Sequence, residues 1–405
     1  RGLGDVYKRQ NLNSANVDAL QRILAVVPRW TGVQSAREAL GLQDHVLLHA
    51  GPPLPDARQL PAPMRHAAIL SCLAEGWATD RASAEALIDA GRVRFEPTAA
   101  HRASTPLVAM ISASTTLALI ESGEGANKVR WHGFLGTGGG AQMRFGSCDP
   151  VIVERLKFRE QTLAPGFAAL LSAGPVDLLS IARSALTEGD DLHNRLSSAT
   201  QVLHGVLSTR KTDALDTQAA LQTLIEAPLY FLNVWMPACA LMLDAARGVA
   251  GSSVVTRLCA NGQVTGIQLA GLPNRWFTAP AGLVQGPYMK GLTIPDPQFP
   301  PATGDSGIID AFGLGGQVLR RAPSLLTAFE PWLAKDDAQR AQSLLCAMHP
   351  VLGVAVGVDA AAVIRTGRTP VLSTGMVDPF GRGLLGRGLG EMPMAPFREA
   401  MAALG

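Results

Sequence analysis

The sequence predicts a multi-domain α+β protein in which two mixed α/β regions flank a helical middle region. Three observations predict this class. The chain has 405 residues, more than a single hydrophobic core usually serves. Short apolar runs typical of strands alternate with amphipathic helical patterns toward both ends of the chain, but not in its middle. Hydrophobic residues make up 47% of the chain and charged residues 17%, a balance typical of compact globular proteins.

Residues 1–10 are interpreted as a tail that is not native to the protein, because their last seven residues resemble translated sequencing adapter. We leave them out of the fold prediction and expect the natural N-terminus to be missing. The first folded region is predicted to be a mixed α/β domain over residues 11–149. Its helices are predicted at 16–27, 35–40, 63–76 and 79–90, and its strands at 28–33, 46–50, 93–97, 107–112 and 116–121.

The middle region, residues 150–247, is predicted to be a helical domain without a convincing strand. Its helices are predicted at 150–162, 165–171, 177–186, 191–207, 217–225 and 231–247. Glycine and proline then return, which predicts a C-terminal α+β domain over 248–405. Its strands are predicted at 266–270, 276–279 and 370–374, and its helices at 254–260, 308–318, 323–329 and 338–349.

The composition argues against several classes of function. Outside the first ten residues basic and acidic residues are equal in number, so no nucleic-acid partner is predicted. Five cysteines without a C-x-x-C pair favour the reducing cytoplasm. No apolar run reaches the roughly 18 residues of a membrane helix, so no membrane association is predicted. No cofactor is predicted, because the G-x-G-x-x-G run at 381–386 lies too near the C-terminus for a dinucleotide-binding unit.

The stretch 189–195, Gly-Asp-Asp-Leu-His-Asn-Arg, carries the densest set of chemically capable side chains. The predicted helix 191–207 would place Asp190, His193 and Asn194 on one polar face. Asp, His and Asn are mediocre helix formers that cap, orient and transfer protons, so this face is predicted to line a polar cleft.

The same stretch has two other interpretations. Gly189 could end one helix while Asp190 or Asp191 caps the next, with Asp191 and Arg195 as an ordinary ion pair. A metal-dependent hydrolase would use Asp190 and His193. Their spacing supplies only two ligands, so no metal is predicted.

Two further stretches are predicted to bind anions. Ser252 and Ser253 precede the predicted helix 254–260, whose first N–H groups and dipole would attract negative charge, although a serine there could also be a helix cap. Arg275 lies beside two aromatic residues and is predicted to bind a planar carboxylate, or alternatively to stack on Trp276 as a lid.

Three more polar residues are candidates for substrate binding. Asp305 and Ser306 could hydrogen-bond a substrate or cap a helix. Asn233 lies in an apolar run and must find partners if buried, which we expect at the polar face of His193. The glycine-rich run 313–316 is interpreted as a site of close helix packing.

The motifs at 189–195, 251–262, 275–280 and 304–316 together resemble one family, the YlbE/YahG/AllG-like proteins, from about residue 15 to the C-terminus. That family supplies a subunit of a multi-subunit oxamate carbamoyltransferase in allantoin and purine catabolism. The resemblance implies a cytoplasmic α+β protein with a helical middle domain, truncated at its N-terminus. It also implies two partners, an FdrA-like subunit and a third small subunit.

The implied reaction is the phosphorolysis of oxalurate to oxamate and carbamoyl phosphate. It requires an anion site, cations for carboxylates and a proton donor for the departing nitrogen. We expect Ser252 and Ser253 to bind phosphate, Arg195 and Arg275 to bind carboxylates, and His193 to transfer the proton. Asp190 is the expected orienting partner of His193. The alternative function is a non-catalytic scaffold or binding subunit of the FdrA-like complex.

The sequence departs from the family pattern at three places. Position 196 is Leu where the pattern has Asn, and Thr105-Pro106-Leu107 stands where it has Gly-Pro-Met. A histidine expected after Thr374-Gly375 is absent. These departures indicate a divergent member whose substrate could differ from that of its relatives.

Overall fold

The structure is a computed structural model that describes residues 13–210, 216–292, 299–333 and 337–405. The non-native tail interpreted at 1–10 lies outside these residues. Helices and strands are mixed along the chain and the strands form several small sheets, which confirms the α+β class. The division into three domains stays a prediction. The largest hydrophobic cluster draws residues from all three predicted regions, from Ala19 to Ala400.

The N-terminal part contributes most of a five-stranded sheet with the order β4-β6-β5-β1-β7. A separate parallel pair, β2 and β3, carries helices packed on a second hydrophobic cluster. The elements are α1 (Ser14–Ala25), β1 (Arg29–Ser35), α2 (Ala36–Leu40), β2 (Val46–His49), α3 (Ala62–Ala74), α4 (Arg81–Asp89), β3 (Arg94–Pro97), β4 (Ala103–Ser104), β5 (Thr116–Ser122) and β6 (Val129–Phe134).

The described residues of the middle part are helical apart from one two-residue strand, β7 (Val176–Asp177), which pairs with β1. Its helices are α5 (Val151–Phe158), α6 (Ala164–Leu171), α7 (Leu178–Thr187), α8 (Ser197–Ser208), α9 (Asp216–Glu226) and α10 (Leu232–Asp244). A π-helical segment, Arg159–Leu163, joins α5 to α6. Helix α10 is buried along nearly its whole length and packs against β6, β5 and β8 (Val255–Asn261).

The C-terminal part contains a four-stranded antiparallel sheet, β10-β9-β8-β11, and two hairpins, β12-β13 and β14-β15. The strands after β8 are β9 (Val264–Leu269), β10 (Leu272–Pro280), β11 (Thr303–Gly304), β12 (Leu345–Met348), β13 (Ala355–Val358), β14 (Val371–Val377) and β15 (Leu384–Glu391). The helices are α11 (Gly307–Phe312), α12 (Pro323–Phe329), α13 (Asp337–Leu344), α14 (Ala360–Thr366) and α15 (Ala395–Leu404).

Five predicted elements were wrong. The predicted helix 338–349 ends at Leu344, and the strand β12 follows it directly. The predicted helix 191–207 begins only at Ser197, and the predicted helix 254–260 is the strand β8, whose β-branched start favours extended backbone. The predicted helix 308–318 ends at Phe312, because Gly313 adopts the left-handed conformation that ends helices. Residues 107–112 make only an isolated bridge, at Ile111, instead of a strand.

Candidate functional site

The segment 189–196 is an ordered loop between α7 and α8. Gly189, with φ +84°, leaves α7 in the left-handed region, and the N–H of Asp190 donates to the carbonyl of Ala185 at 3.0 Å. Oδ2 of Asp190 accepts the N–H of Ala199, in the first turn of α8, at 2.8 Å. Burial raises the pKa of Asp190, while this N–H and the guanidinium of Arg195, 3.0 Å from Oδ1, oppose the rise. Asp190 therefore caps a helix, one of the two roles its sequence allowed.

Asp191 shapes the rest of this loop from inside. Its carboxylate accepts the backbone N–H groups of His193 and Arg195 at 3.0 and 2.8 Å, and the side-chain amide of Asn194 at 3.1 Å. These bonds satisfy the backbone without a helix, which explains why the predicted helix starts late. Leu192 takes a φ of +62°, unusual for a branched residue. The loop thereby turns His193 and Asn194 toward the C-terminal part of the chain.

The carboxylate beside His193 belongs to Asp310 in α11. Nδ1 of His193 lies 2.9 Å from Oδ2 of Asp310, an ion-pair contact without the alignment of a hydrogen bond, and both side chains are buried. Asp190, the partner expected from the sequence, faces Arg195 instead. Nε2 of His193 has no hydrogen-bond partner within the described residues. The pair thus has the arrangement in which a carboxylate orients an imidazole whose other nitrogen is available for proton transfer.

Asp310 is held by two backbone donors from different elements. Oδ1 accepts the N–H of Gly316 at 2.8 Å, and Oδ2 accepts the N–H of Ser373, in β14, at 3.1 Å. Burial raises the pKa of Asp310, while His193 and these two N–H groups lower it. The carboxylate is therefore fixed in position before any ligand binds.

Gly315 allows the histidine and the aspartate to meet. It has a φ of +57°, and a Cβ atom there would lie 2.6 Å from Oδ1 of Asp310 and 3.0 Å from Nδ1 of His193. Its N–H donates to the carbonyl of Asp191 at 2.9 Å, which joins this turn to the loop 189–196. The glycine run 313–316 was predicted to pack helices. It builds the support of the His193–Asp310 pair instead.

His193 and Asn194 line a small cavity of about 50 Å³, which we call the inner pocket. Its wall includes Ser306, at the start of α11, and Thr374, in β14. Apolar side chains cover much of the remaining wall, among them Leu107, Phe145, Leu229, Leu232 and Leu384. A cavity of this size, with a few polar groups converging on it, fits one small headgroup.

Arg144 is the cation inside the inner pocket. Within the described residues its side chain has no carboxylate within ion-pair distance and no hydrogen-bond partner, and its Nε is buried. The guanidinium carbon lies 4.8 Å from the ring centre of Phe145. Burial lowers the pKa of Arg144 to about 10, so the group stays charged at neutral pH. A guanidinium that is partly removed from water and has no carboxylate beside it is costly unless a ligand supplies the anion.

The inner pocket opens beside a larger groove of about 750 Å³, which we call the outer groove. Leu229, Leu384 and Arg387 line both cavities. Arg387 in β15 lies opposite Gly375 and donates to the backbone carbonyl of Asn194. Lys290 and Arg195 also line the groove, whereas no aspartate or glutamate among the described residues lines either cavity. The site as a whole thus presents positive charge to a ligand.

The serines predicted to bind phosphate have internal partners instead. Oγ of Ser252 donates to Oδ1 of Asn16 at 2.8 Å, and Oγ of Ser253 donates to Oδ1 of Asp359 at 2.7 Å. The N–H of Ser253 donates to the same Asn16 oxygen, and all four side chains are buried. These residues precede a strand, so the helix N-terminus on which the prediction depended is absent there. The cluster joins α1 to α14.

Arg275 and Asn233 also lie apart from the inner-pocket lining. Arg275 is exposed on β10, an edge strand of its sheet, and its guanidinium stacks on Phe277 at 4.8 Å instead of on Trp276. Asn233 is buried in α10, and its amide donates to the carbonyl of Tyr230 at 2.9 Å. The expected partner near His193 is thus replaced by a local one.

Asp305 and Ser306 are neighbours with different surroundings. The carboxylate of Asp305 is buried and accepts the N–H groups of Gly51 and Thr105 and the hydroxyl of Thr98, at 2.8, 2.9 and 2.6 Å. Burial raises its pKa, and these donors lower it. Asp305 therefore ties the first part of the chain to the third. Ser306 is the member of the pair that lines the inner pocket.

Sequence reasoning missed Asp310, Arg144 and Arg387. Asp310 stands alone in the apolar run Ile-Ile-Asp-Ala-Phe, and Arg144 lies between Met143 and Phe145. A charge inside an apolar run is an available signal, because such a charge must be paired when buried. Arg387 gave no comparable signal, since its role depends on which residues oppose β15.

Neither a metal-binding cluster nor a membrane-spanning helix occurs among the described residues. They contain no group of three or more His, Cys, Asp or Glu placed to hold a metal ion. No helix among the described ranges has the length and apolarity to span a membrane.

Comparison with known proteins identifies the family. The family model described as oxamate carbamoyltransferase subunit AllG matches residues 93–306. The chain is 30% identical to oxamate carbamoyltransferase subunit AllG of Escherichia coli (strain K12), with 96% of this chain and 97% of that protein aligned. It is 28% identical to the uncharacterized protein YahG of the same organism, with 98% and 87% aligned.

A solved structure has the same fold along nearly the whole chain. It is a conserved protein of unknown function from Enterococcus faecalis V583, which is 27% identical, with a TM-score of 0.86 and 96% of each chain covered. The match of the family model to more than half of the chain and the near full-length relative agree. The chain belongs to the AllG family of oxamate carbamoyltransferase subunits.

Proposed function

We propose that this chain is a subunit of an oxamate-type carbamoyltransferase and that its inner pocket binds the substrate beside His193. The observation that carries the proposal is the convergence of the His193–Asp310 pair and the unpaired Arg144 on one small cavity. The Escherichia coli relative, oxamate carbamoyltransferase subunit AllG, supplies the reaction class. Oxalurate is a small carboxylate, and Arg144 offers it a guanidinium that no described residue neutralises.

The reaction breaks one bond to nitrogen and forms one to oxygen. An oxygen of inorganic phosphate attacks the ureido carbonyl carbon, and the bond from that carbon to the nitrogen of the oxamate half breaks. The proton of hydrogen phosphate ends on that nitrogen, so oxalurate and phosphate become oxamate and carbamoyl phosphate. His193 passes this proton through Nε2, while Asp310 at Nδ1 holds the ring and stabilises its charged form.

Asn194 directly follows His193 in the sequence and is the next candidate for a role in this reaction. Its Nδ2 is held by Asp191, and the residue lines the inner pocket. It is thereby positioned to hydrogen-bond the ureido group through its amide oxygen. Arg195, predicted to bind carboxylates, lines the outer groove and is paired with Asp190.

Partner subunits follow from the same family membership, and we expect an FdrA-like subunit and a third small one. A non-catalytic binding subunit is the alternative, in which another subunit supplies the proton transfer. The outer groove is mostly apolar. Because exposed apolar surfaces often bind other chains, the groove favours this alternative.

The replacement His193→Gln separates the two functions. The complex of this chain with its partner subunits is assayed for carbamoyl phosphate formed from oxalurate and phosphate. We expect kcat to fall by about 10²- to 10⁴-fold, since glutamine forms hydrogen bonds but carries no transferable proton. Assembly, followed by size-exclusion chromatography, is expected to stay unchanged.

His204→Gln is the matched control, because His204 lies on α8 outside the inner-pocket lining. It is expected to retain the wild-type rate. A His193→Gln complex that assembles and keeps the wild-type kcat would contradict catalysis at this pocket and favour the binding subunit.

A further inference from the structure

Three cations around the site have no carboxylate within ion-pair distance in the part of the chain that the structure describes. Arg144 lies in the wall of the inner pocket, Lys290 lines the outer groove, and Arg387 lines both. Arg195, the fourth cation, is neutralised by Asp190. The unpaired charges therefore fall into two places, one inside the pocket and one at its opening.

Lys290 and Arg387 belong to the same structural unit. The segment before Lys290 runs antiparallel to β15, with bridges between Gln285 and Leu389 and between Tyr288 and Gly386. The N–H of Met289 donates to the carbonyl of Leu385 at 2.7 Å. Both cations are exposed, unlike Arg144. We call these two residues the mouth cluster.

We infer that the site binds two anions at once, a carboxylate at Arg144 and inorganic phosphate at the mouth cluster. The inference rests on the proposed function and assigns its two substrates to separate subsites. His193 and Asn194 line the cavity between them. The phosphate oxygen and the ureido carbonyl carbon are brought together at this point, where the carbon–oxygen bond forms and the carbon–nitrogen bond breaks.

The difference in charge and solvent access decides which anion binds where. A carboxylate is planar and carries one charge, so a single guanidinium can bind it through two parallel hydrogen bonds. The inner pocket holds about 50 Å³ and has largely apolar walls, and Arg144 is the cation in its lining that does not also line the outer groove. Phosphate is a mixture of monoanion and dianion at neutral pH, and burying the dianion costs more than burying a monoanion. The open mouth supplies two cations and contact with water.

Two features of the site support separate subsites. Leu384 and Leu229 line both cavities, so apolar side chains lie where the inner pocket meets the groove. Arg387 also donates to the carbonyl of Asn194, so the cation at the mouth is joined to the loop that carries His193. Phosphate bound at the mouth cluster therefore forms the remaining wall of the inner pocket.

The test measures the binding of oxamate and of inorganic phosphate by titration calorimetry, separately and together. The sample is the full chain in complex with its partner subunits, and the chain alone is titrated in parallel. We expect each anion to bind, and saturating phosphate to change the dissociation constant of oxamate by less than about threefold. Initial-rate kinetics are expected to be sequential.

Single substitutions assign the subsites. Arg144→Met is expected to weaken oxamate about 10-fold and phosphate less than twofold, as one charge-assisted contact is lost. Lys290→Met is expected to weaken phosphate about 10-fold and to leave oxamate unchanged. Lys290 is the better probe of the mouth, because Arg387 also supports the loop through Asn194. Arg58→Met, at a side chain 86% exposed, is the control expected to change neither.

The outcomes distinguish this inference from the proposed function. If phosphate raises the dissociation constant of oxamate in proportion to its concentration, the two anions share one subsite, and only the inference is overturned. Unchanged phosphate binding in both Lys290→Met and Arg387→Met overturns it as well. If neither anion binds the complex or the chain, the inference and the proposed function both fail.

Discussion

Two buried polar clusters that the sequence predicted to bind ligands differ in one respect, the completeness of their hydrogen bonds. At Ser252 and Ser253 the hydroxyl groups bond to Asn16 and Asp359, and this cluster is closed within the protein. At His193 the ring contacts Asp310 on one side only, and Arg144 nearby has no anion within the described residues.

This difference teaches how to separate structural polar residues from functional ones. A closed cluster contributes to stability and offers nothing to a ligand, because each donor already has an acceptor. In a cluster with an unpaired cation and a free ring nitrogen, these groups have lost contacts with water that no protein group replaces. A ligand that bonds to them relieves this cost. Aspartate, asparagine and serine occur in both places, so the presence of these residue types alone does not distinguish them.

The largest effect expected from this comparison is that of Asp310→Asn on catalysis. Asparagine keeps the size of the side chain but removes the charge that orients and stabilises the charged imidazole of His193. We expect kcat to fall by about 10²-fold or more, with the KM for oxalurate nearly unchanged because Arg144 still binds the carboxylate. Steady-state kinetics of the complex test this. A loss of thermal stability with no change in kcat would place Asp310 in a purely structural role.

Ser253→Ala is the opposite case, with an effect on stability alone. It leaves buried Asn16 and Asp359 with fewer partners, so the free energy of unfolding is expected to fall by about 1–3 kcal/mol. The kcat of the complex should stay within about twofold of wild type. Urea titration and the phosphorolysis assay provide the two measurements. Ser172→Ala, at an exposed hydroxyl, is the control expected to change neither. A selective loss of phosphate binding in Ser253→Ala would restore the anion site predicted from the sequence.

A second buried histidine, His49, is expected to make the folding stability depend on pH, whereas His193 is expected to act in catalysis. Its Nδ1 contacts the carbonyl of Ala50 at 2.8 Å, and burial lowers its pKa from 6.5 to about 4. The folded state therefore favours the neutral ring, and its contribution to stability is complete above pH 6.5. Between pH 6.5 and 4 the unfolded chain binds the proton more readily, so stability falls with pH by up to about 1.4 kcal/mol per unit.

The substitution His49→Asn isolates that term, since the asparagine amide can still donate to the carbonyl of Ala50. The slope of the unfolding free energy between pH 6 and 4.5 is expected to be smaller than in the wild type by about 1 kcal/mol per unit. Urea titrations at several pH values measure it. Identical slopes would show that His49 does not titrate with folding.

The sequence by itself determined the α+β class, the helical middle region and the family. It also directed attention to His193, Asn194 and Ser306, which the structure brings into one pocket. Periodicity and composition suffice for such conclusions because they depend on neighbours along the chain. The helix over 191–207 failed for a related reason, since Asp191 bonds to the backbone N–H groups that follow it and replaces the first helical turns.

Only the tertiary structure decided which of these polar residues face a ligand. The pocket of His193 brings together three residues that lie far apart in the sequence, Arg144, Asp310 and Arg387. Asp359 meets Ser253 in the same way. A polar side chain bonds to whatever the fold places beside it, and that neighbour lies far away in sequence in each case. The sequence therefore contains the reactive groups, while long-range packing decides which of them keep a free donor or an unpaired charge.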